Sequence, residues 1–303
     1  MNAGFEYRAI VGHRDAGRPL LDHLAERYRH SSRDEWRARI ALGRVLVDGR
    51  VAAADAVLRG GQTVAWQRPP WIEPEAPLAW ALLHRDDDVL AAAKPAGLPT
   101  IAGGGFLDNT LLALVRRRHP EASPVHRLDR GASGIVLFAR SARARDRLAQ
   151  AFRHGLLVKE YRALVCGAPA AQSFAMTTPI GRVPHPRLGL IHAASTRATG
   201  AARAARTEVE VVERRGESTL LSVRPITGRP HQIRIHLSAA GLPLVGEPVY
   251  DPGGVPRPDA AAAGACGYLL HAARLTFDHP GNGKPVRLEC VPPPALRRAG
   301  ESA

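Results

Sequence analysis

The first 68 residues show the apolar spacing of two short helices followed by short β segments. Apolar residues recur at helical spacing after Pro19, which suits the first turn of a helix; they are Leu20, Leu21, Leu24 and Tyr28. A second helix is predicted from the capping-box sequence SRDE at 32–35. Its apolar side carries Trp36, Ile40 and Ala41, and Gly43 ends it. β-forming segments at 45–51, around an Asp-Gly turn, and at 63–66 complete a small α+β domain over residues 1–68.

A proline-rich segment separates this domain from the rest of the chain. Residues 69–79 contain four prolines, which sustain neither a helix nor a central strand, so a semi-rigid linker is predicted. Short apolar or alternating segments then predict strands at 89–93, 134–139, 159–165, 207–212, 220–223, 268–271 and 275–277. Helical patterns occur at 110–118, 142–154 and 230–240.

Many strands with only occasional helices predict an α+β fold. For residues 80–295 we expect one large domain with a mixed, mainly antiparallel sheet, preceded by the small α+β domain. The segment 253–265, rich in Gly, Pro and Ala, is predicted to be a mobile loop. Residues 296–303 are predicted to be a frayed tail.

The amino-acid composition gives the chain a large positive net charge. The 303 residues, 45% of them hydrophobic, suffice for one large core and a small accessory domain. The formal net charge of +14 attracts polyanions, so RNA, DNA and anionic membrane surfaces all qualify as partners. No apolar run reaches the roughly 18 residues that span a bilayer, and the N-terminal segment lacks the apolar region of a secretory signal. The cytosol is therefore the expected location.

The segment HRLDRGASG at 126–134 carries the densest set of reactive side chains. Asp129 lies between Arg127 and Arg130, which should lower the pKa of its carboxyl group and keep it ionised. The glycines that follow let the backbone approach a ligand closely, and an apolar strand anchors the loop. Such a carboxylate can act as a nucleophile. The alternative is an aspartate that only caps or turns the chain.

Two further segments carry candidate chemistry. The first, TGRPHQIRIH at 227–236, has a proline suited to a helix start, and one of its arginines could pair with Asp129 or with phosphate. A surface helix with solvated charges is the alternative. In the second, KEYRALV at 159–165, strand alternation places Lys159 and Tyr161 on one face. The tyrosine could stack on a base or exchange a proton, or it could simply fill the core.

Metal-binding patterns are missing from the sequence. His231 and His236 are five residues apart, so on a helix they point in different directions, whereas zinc sites on one helix use residues four apart. Neither an HExxH nor a CxxC motif occurs, and the three cysteines suggest neither a disulfide framework nor a zinc site. No metal site is predicted.

Six motifs, in the expected order, resemble the pseudouridine synthases related to RluA. HRLDRGASG resembles that family's catalytic loop, HRLD followed by Thr-Ser-Gly, and TGRPHQIRIHL resembles its TGRTHQIRVHL motif. The others are KPAGL at 94–98, KEY at 159–161, GEPVY at 246–250, and LHA at 270–272 with LTF at 275–277 and HP at 279–280. The resemblance covers residues 78 to 290, and residues 17–68 are similar to an S4 RNA-binding domain.

The resemblance implies isomerisation of uridine to pseudouridine within RNA. Asp129 would attack either C1′ or C6 of the target nucleotide, and Arg234 would pair with Asp129. Tyr161 would stack on the target base and assist in removing the C5 proton. Arg127 would fill the space vacated by the flipped nucleotide. No metal or cofactor is required, because substrate and product are isomers.

The resemblance also implies RNA as the partner. Further RNA- or base-binding candidates lie in or beside the motifs: His126, Arg130, Lys159, Arg229, His231 and Gln232. In the S4-like domain the candidates are Arg33, Arg37 and Arg44. Large-subunit ribosomal RNA is the expected substrate and tRNA the second choice. We expect no membrane partner, no obligate protein partner and a monomer.

The sequence departs from the family pattern at four positions. Gly131 and Ala132 replace an acidic residue and a threonine, Pro230 replaces a threonine, and Glu247 replaces an aspartate. The segment 184–206 is hard to align and is expected to help select the RNA. Two other hypotheses remain: a non-catalytic RNA-binding protein, and a glycosidase that uses Asp129 with a second carboxylate and releases free uracil.

Overall fold

The computed structural model describes residues 1–195, 202–260 and 265–302, which form two compact units divided after Glu73. The first unit contains strand β1 (Phe5–Ile10), helices α1 (Leu20–Arg27) and α2 (Arg33–Ala41), and strands β2 (Val45–Val47), β3 (Arg50–Val51) and β4 (Thr63–Arg68). Its antiparallel sheet has the order β1-β4-β2-β3. Strand β1 was not predicted, because its mostly exposed residues lack a clear apolar alternation.

The two predicted helices of the first unit are confirmed, and the capping box explains where the second begins. The Ser32 hydroxyl accepts a hydrogen bond from the Glu35 amide, and the Glu35 carboxylate accepts one from the Ser32 amide. The two bonds satisfy amides that the first turn leaves without helical partners. Between helices and sheet, Leu20, Leu24 and Trp36 are almost fully buried and form the centre of a separate core.

The second unit is built on a ten-stranded sheet, ordered β10-β13-β14-β9-β17-β8-β6-β5, with β18 paired to β17 and β7 to β8. These strands are β5 (Ala81–Arg85), β6 (Val89–Lys94), β7 (Ser123–Pro124), β8 (Ser133–Ala139), β9 (Val158–Cys166), β10 (Ser173–Met176), β13 (Thr207–Arg215), β14 (Ser218–Pro225), β17 (Leu270–Asp278) and β18 (Pro285–Glu289). Only the β8–β17 pair of this sheet is parallel. The predicted α+β class with a mixed, mainly antiparallel sheet is confirmed.

Helices and two small hairpins complete the second unit. The helices are α3 (Leu111–Arg116), α4 (Ala142–Arg153) and α5 (Gln232–Ala239). One hairpin consists of β11 (Ile180–His185) and β12 (Gly189–Ala194), and the other of β15 (Tyr250–Asp251) and β16 (Val255–Pro256). No helix among the described residues is both long and apolar enough to cross a membrane.

Strand β8 packs against the hydrophobic cores on both faces of this sheet. All its residues are buried. Val136 and Phe138 belong to the core on one face, whereas Ile135 and Leu137 belong to the core on the other, as the two-residue period of a strand requires. The loop 126–132 leads directly into β8, so a strand packed on both faces fixes its end.

Gly134 allows β8 to approach β17 closely. Its φ angle is +109°, and a Cβ atom at this position would lie 2.2 Å from the carbonyl oxygen of Ala272. Neither the angle nor the contact is accessible to another residue without a backbone shift. The parallel pairing at the centre of the sheet therefore depends on this glycine, directly after the loop that carries Asp129.

Three sequence predictions need correction. The two strands predicted at 268–271 and 275–277 are one strand, β17, with an irregularity between Ala272 and Arg274. The predicted frayed tail 296–303 is instead attached to the unit at its start: Leu296 is buried, and the Ala299 amide donates to the Glu213 carboxylate at 3.3 Å. The predicted mobile loop 253–265 contains β16, while its residues 261–264 lie outside the described ranges.

Candidate active site

A cavity of about 680 Å³ opens in the second unit beside the loop that precedes β8. Its walls come from that loop, from β9 and β12, and from the segment that leads into α5. The cavity brings together most of the residues predicted from the motifs: His126, Arg127, Asp129, Lys159, Tyr161, Arg229, His231, Gln232 and Arg234. Residues more than a hundred positions apart thus meet in one concave site.

The loop carrying Asp129 is fixed from behind by the turn that follows β6. The buried Lys94 ammonium group donates to the carbonyls of Pro95, Leu98 and Arg130 at 3.0, 2.7 and 3.2 Å. The Thr100 hydroxyl bridges the backbone of Leu128. Burial lowers the Lys94 pKa to about 7, although Cys266 and Asp129 oppose the shift. These bonds hold the loop backbone and leave the Asp129 side chain 23% exposed to the cavity.

Arg234 is the buried cation of the site. Its guanidinium binds Glu247 through two hydrogen bonds, Nε to Oε2 at 2.9 Å and Nη2 to Oε1 at 2.6 Å. Its Nη1 lies 3.6 Å from Oδ2 of Asp129. The predicted Arg234–Asp129 pair is therefore present, but Glu247 is the closer partner. Burial favours a lower pKa for Arg234, but its interactions with Glu247, Tyr268 and Asp129 outweigh burial and raise the pKa.

Sequence reasoning missed the residues that surround this cation. The Arg234 guanidinium lies 4.3 Å from the ring centre of Tyr268 and 5.3 Å from that of Tyr250, and both rings are buried. Glu247 appeared in the sequence only as a substitution within the GEPVY motif. Its position beside Tyr250 in that motif was the available signal, but no spacing rule reveals which distant arginine it binds.

Tyr161 and Lys159 line the cavity from strand β9, as the alternation of that strand predicts. Burial and the neighbouring Asp129 carboxylate raise the Tyr161 pKa well above its ordinary value of 10.0. Its hydroxyl therefore stays protonated at neutral pH. Burial lowers the Lys159 pKa.

His126 and Gln232 form hydrogen bonds with backbone groups around the site. The His126 Nε2 accepts a hydrogen bond from the Leu137 amide at 3.0 Å, and its ring stacks on Phe152. Burial and Lys159 lower the His126 pKa to about 4, so the ring is neutral. The Gln232 side-chain amide binds Thr227, Arg229, Arg206 and Thr207. Both side chains therefore hold neighbouring backbone groups, and their contact with RNA stays a prediction.

The predicted arginines occupy different surroundings. Arg127 is exposed where it lines the cavity, and Arg229 donates to the Ala204 carbonyl at 3.1 Å. Arg130 does not line the cavity; its guanidinium lies 5.3 Å from the Phe106 ring centre. The nearest ion-pair contacts described for the Asp129 carboxylate are with Arg234 at 3.6 Å and with the His231 ring at 3.7 Å, not with the arginines beside it in sequence. Adjacent residues of an extended loop point in different directions.

The arginines of the first unit lie on or directly after helix α2. Arg33 pairs with Asp22 at 2.5 Å, and Arg37 pairs with Asp34. Both side chains are more than half exposed, whereas Arg44 is partly buried. Arg39 lies between the rings of Trp36 and Trp66, 4.5 Å from each centre. Arg33, Arg37 and Arg44, the three arginines predicted to contact RNA, therefore lie at least partly exposed on α2 and the turn that follows it.

Part of the poorly aligning segment 184–206 belongs to the site. Leu190, Ile191 and His192 on β12 line the same cavity as the loop that carries Asp129. Residues 196–201 of this segment lie outside the described ranges. Within the ranges that are described, no group of three or more His, Cys, Asp or Glu side chains is arranged to hold a metal ion.

Comparison with known proteins gives a consistent result. Residues 88–239 match the family model of RNA pseudouridylate synthases. The chain is 40% identical to an uncharacterized RNA pseudouridine synthase of Synechocystis over 91% of this chain and 95% of the relative. It is 34% identical to ribosomal large subunit pseudouridine synthase D of Xanthomonas campestris, over 96% and 90% of the two chains.

A solved structure shares the fold. The human RNA pseudouridylate synthase domain containing 1 superimposes with a TM-score of 0.58 at 24% identity. The match covers 75% of this chain and 89% of the human chain. At this identity the likeness concerns the fold alone.

Proposed function

The chain belongs to the RNA pseudouridylate synthase family and is an RNA pseudouridine synthase related to RluA; we propose that its substrate is large-subunit ribosomal RNA and that Asp129 is its nucleophile. The observation that carries the second proposal is the position of the Asp129 carboxylate. It faces the cavity, and its Oδ2 lies 3.6 Å from a buried guanidinium. A carboxylate that faces the cavity beside a buried cation is placed to act as a nucleophile.

The reaction breaks the N1–C1′ bond of uridine, turns the uracil ring and forms a C5–C1′ bond. Asp129 attacks C1′ or C6 and is released at the end, so the enzyme is regenerated. During the reaction the ring loses the proton on C5, and N1 gains one. The overall change is an isomerisation, so the residues of the cavity must move protons and hold the detached base, but need supply no electrons.

The dimensions of the cavity suit a single nucleotide turned out of its stack. Its concave wall is formed by apolar and hydrogen-bonding side chains, and Tyr161 offers an aromatic surface for the base. Arg127, exposed at the same wall, is placed to fill the space that a flipped nucleotide leaves. The net charge of +14 supplies further contacts to phosphate groups.

The choice of ribosomal RNA rests on the relatives, because several similar proteins are ribosomal large subunit pseudouridine synthases D. The test is to incubate the purified chain separately with unmodified 23S ribosomal RNA and unmodified tRNA and to map pseudouridine in each. We expect conversion of specific uridines in 23S RNA. Mapping total RNA from a strain that lacks the gene should show loss of the same sites. Conversion of tRNA alone would contradict the assigned substrate, and release of free uracil would indicate a glycosidase.

The first unit is proposed to be an S4-like RNA-binding domain. We expect the triple change Arg33→Gln, Arg37→Gln and Arg44→Gln to weaken RNA binding and raise the apparent KM, with little effect on the single-turnover rate of bound RNA. Each lost phosphate contact should reduce the slope of log Kd against log salt by about 1. Filter binding at several salt concentrations measures this slope.

A control is Arg8→Gln, which removes a more exposed, carboxylate-paired arginine from β1 of the same unit. This variant should leave the slope unchanged. If the triple variant also binds RNA with unchanged affinity and salt slope, α2 and the turn after it do not contact the substrate.

A further inference from the structure

Two aromatic residues lie exposed on strand β1 of the first unit. Phe5 and Tyr7 are two positions apart, so their side chains share one face of the sheet. The two residues are 45% and 42% exposed, and their ring centres are 4.8 Å apart with the rings edge to face. An exposed patch of neighbouring aromatic side chains is typical of an interaction site.

These rings continue an aromatic row that begins in the core of the first unit. Tyr7 is directly opposite Trp66 of β4, and the two rings stack with centres 5.2 Å apart and planes inclined by 17°. Trp66 in turn contacts the buried Trp36, whose ring centre lies 5.1 Å away. The outer rings are therefore supported from the core, and a ring held in this way loses little conformational entropy when a ligand stacks on it.

Two arginines lie beside this aromatic row without a carboxylate partner. Arg68 is directly opposite Phe5 in the β1–β4 pair, which places both side chains on the same face. Its guanidinium lies 3.5 Å from the Trp71 ring centre, and the Arg39 guanidinium lies 4.5 Å from that of Trp66. Within the described ranges, neither guanidinium has a carboxylate oxygen within 4.0 Å. Both cations can therefore pair with an anion from outside the protein.

The two guanidinium groups are close enough to repel each other. Burial lowers the Arg39 pKa; Glu35 opposes this shift, and Arg68 adds to it. The Glu35 carboxylate is already hydrogen-bonded in the capping box of α2. Arg33 and Arg37 of the same unit, by contrast, each bind an aspartate. A phosphate group beside Arg39 and Arg68 would relieve their repulsion, because it adds a negative charge close to both.

Resting on the RNA-binding role proposed for the first unit, we propose that Phe5, Tyr7, Arg39 and Arg68 form a binding site for one unpaired nucleotide of the RNA substrate. The base stacks on the exposed rings, and its phosphate binds beside the arginines. A base within a duplex has no free face to offer, so the site selects an unpaired one. An acidic protein segment would pair with the arginines but leave the ring faces uncovered, whereas a nucleotide covers both.

The decisive variant combines Phe5→Leu with Tyr7→Leu in the full chain. Leucine keeps an apolar side chain on Trp66 but has no flat face for a base. We expect the Kd for unmodified 23S ribosomal RNA to rise about tenfold, since stacking of one base on an aromatic side chain contributes a factor of about 5 to 150. The slope of log Kd against log salt should stay that of wild type, because no phosphate contact is removed. The single-turnover rate of bound RNA should also stay unchanged.

Two control variants separate stacking from other effects. Tyr7→Phe keeps the ring and should bind RNA as wild type does. Ile10→Thr removes a 70% exposed apolar side chain from the opposite face of the same strand, and it should also leave the Kd unchanged. Arg68→Gln should raise the Kd and reduce the salt slope by about 1, as for loss of one phosphate contact. Filter binding at several salt concentrations measures all four variants.

The outcomes distinguish this site from its premise. A Kd of the double leucine variant within twofold of wild type would exclude a stacked base. An equal loss of affinity in Tyr7→Phe would also contradict stacking, since the ring is still present. A fall in the salt slope of the leucine variant would indicate that the first unit has unfolded and lost its other phosphate contacts, and Tyr7→Leu alone then decides. If the triple arginine variant described above also binds as wild type, the first unit does not bind RNA and the premise itself fails.

Discussion

Replacing Asp129 with asparagine is expected to abolish pseudouridine formation while RNA affinity stays nearly unchanged. Asparagine has the same shape but a neutral amide that cannot attack carbon, so the covalent step is lost. Removal of a nucleophile in other enzymes lowers kcat by about ten thousandfold or more, and a loss of this size is expected here. The carboxylate is partly exposed, and its contact with Arg234 is, at 3.6 Å, longer than a hydrogen bond, so folding should be preserved.

The experiment compares single-turnover conversion and RNA binding for wild type, Asp129→Asn and a control, Asp87→Asn. Asp87 is exposed on the turn between β5 and β6, so its substitution changes the net charge equally without touching the cavity. The control should behave as wild type in both assays. Retention of even a tenth of the wild-type rate by Asp129→Asn would show that another group is the nucleophile. A parallel loss of RNA binding would show that the carboxylate instead positions the substrate.

The sequence predicted the contents of the site well, because each motif is a continuous segment. Asp129, Tyr161 and Arg234 each lie in a run whose residue types suggest chemistry, and all three line one cavity. The strands around them could be predicted where they are buried on both faces. Strand β8, for example, reads as an uninterrupted apolar run because both of its faces are covered.

What the sequence could not predict depends on long-range pairing and on backbone direction. Strand β1 is mostly exposed and is specified by its antiparallel pairing with β4, almost sixty residues away, so local periodicity does not reveal it. Arg130 neighbours Asp129 in sequence but points away from the cavity. The left-handed conformation of His231 follows from its contacts with Tyr250 and the start of α5, and Pro230 made an earlier helix start look equally good.

The pairing of Glu247 with Arg234 is the clearest example of a contact between distant residues that the sequence does not reveal. We expect Glu247→Gln to destabilise the second unit by about 3 kcal/mol, because removing one member of a buried ion pair leaves its partner uncompensated. Both side chains are 1% exposed. The Asp129 carboxylate, 3.6 Å from the guanidinium, offsets part of the cost and keeps the loss near the lower end of the usual range.

The same substitution should lower the rate of pseudouridine formation. Glu247 holds two nitrogens of the Arg234 guanidinium, and its Oε1 also accepts from the Val249 amide at 2.9 Å. Without that charge, Asp129 becomes the main counterion of Arg234 and is drawn into a tighter pair. A carboxylate held in this way is a weaker nucleophile, so kcat should fall more than RNA affinity changes.

Hydrogen–deuterium exchange of β9 and β17 in urea measures the stability of the second unit separately from the first. A matched control is Glu208→Gln, which removes a carboxylate paired with two exposed arginines, Arg206 and Arg224. Because water already solvates those charges, the control should change the exchange little. If Glu247→Gln exchanges like the control and keeps the wild-type rate, the Asp129 carboxylate alone suffices to hold Arg234. The charge of the guanidinium would then be balanced from within the catalytic pair, and Glu247 would be only a packing residue.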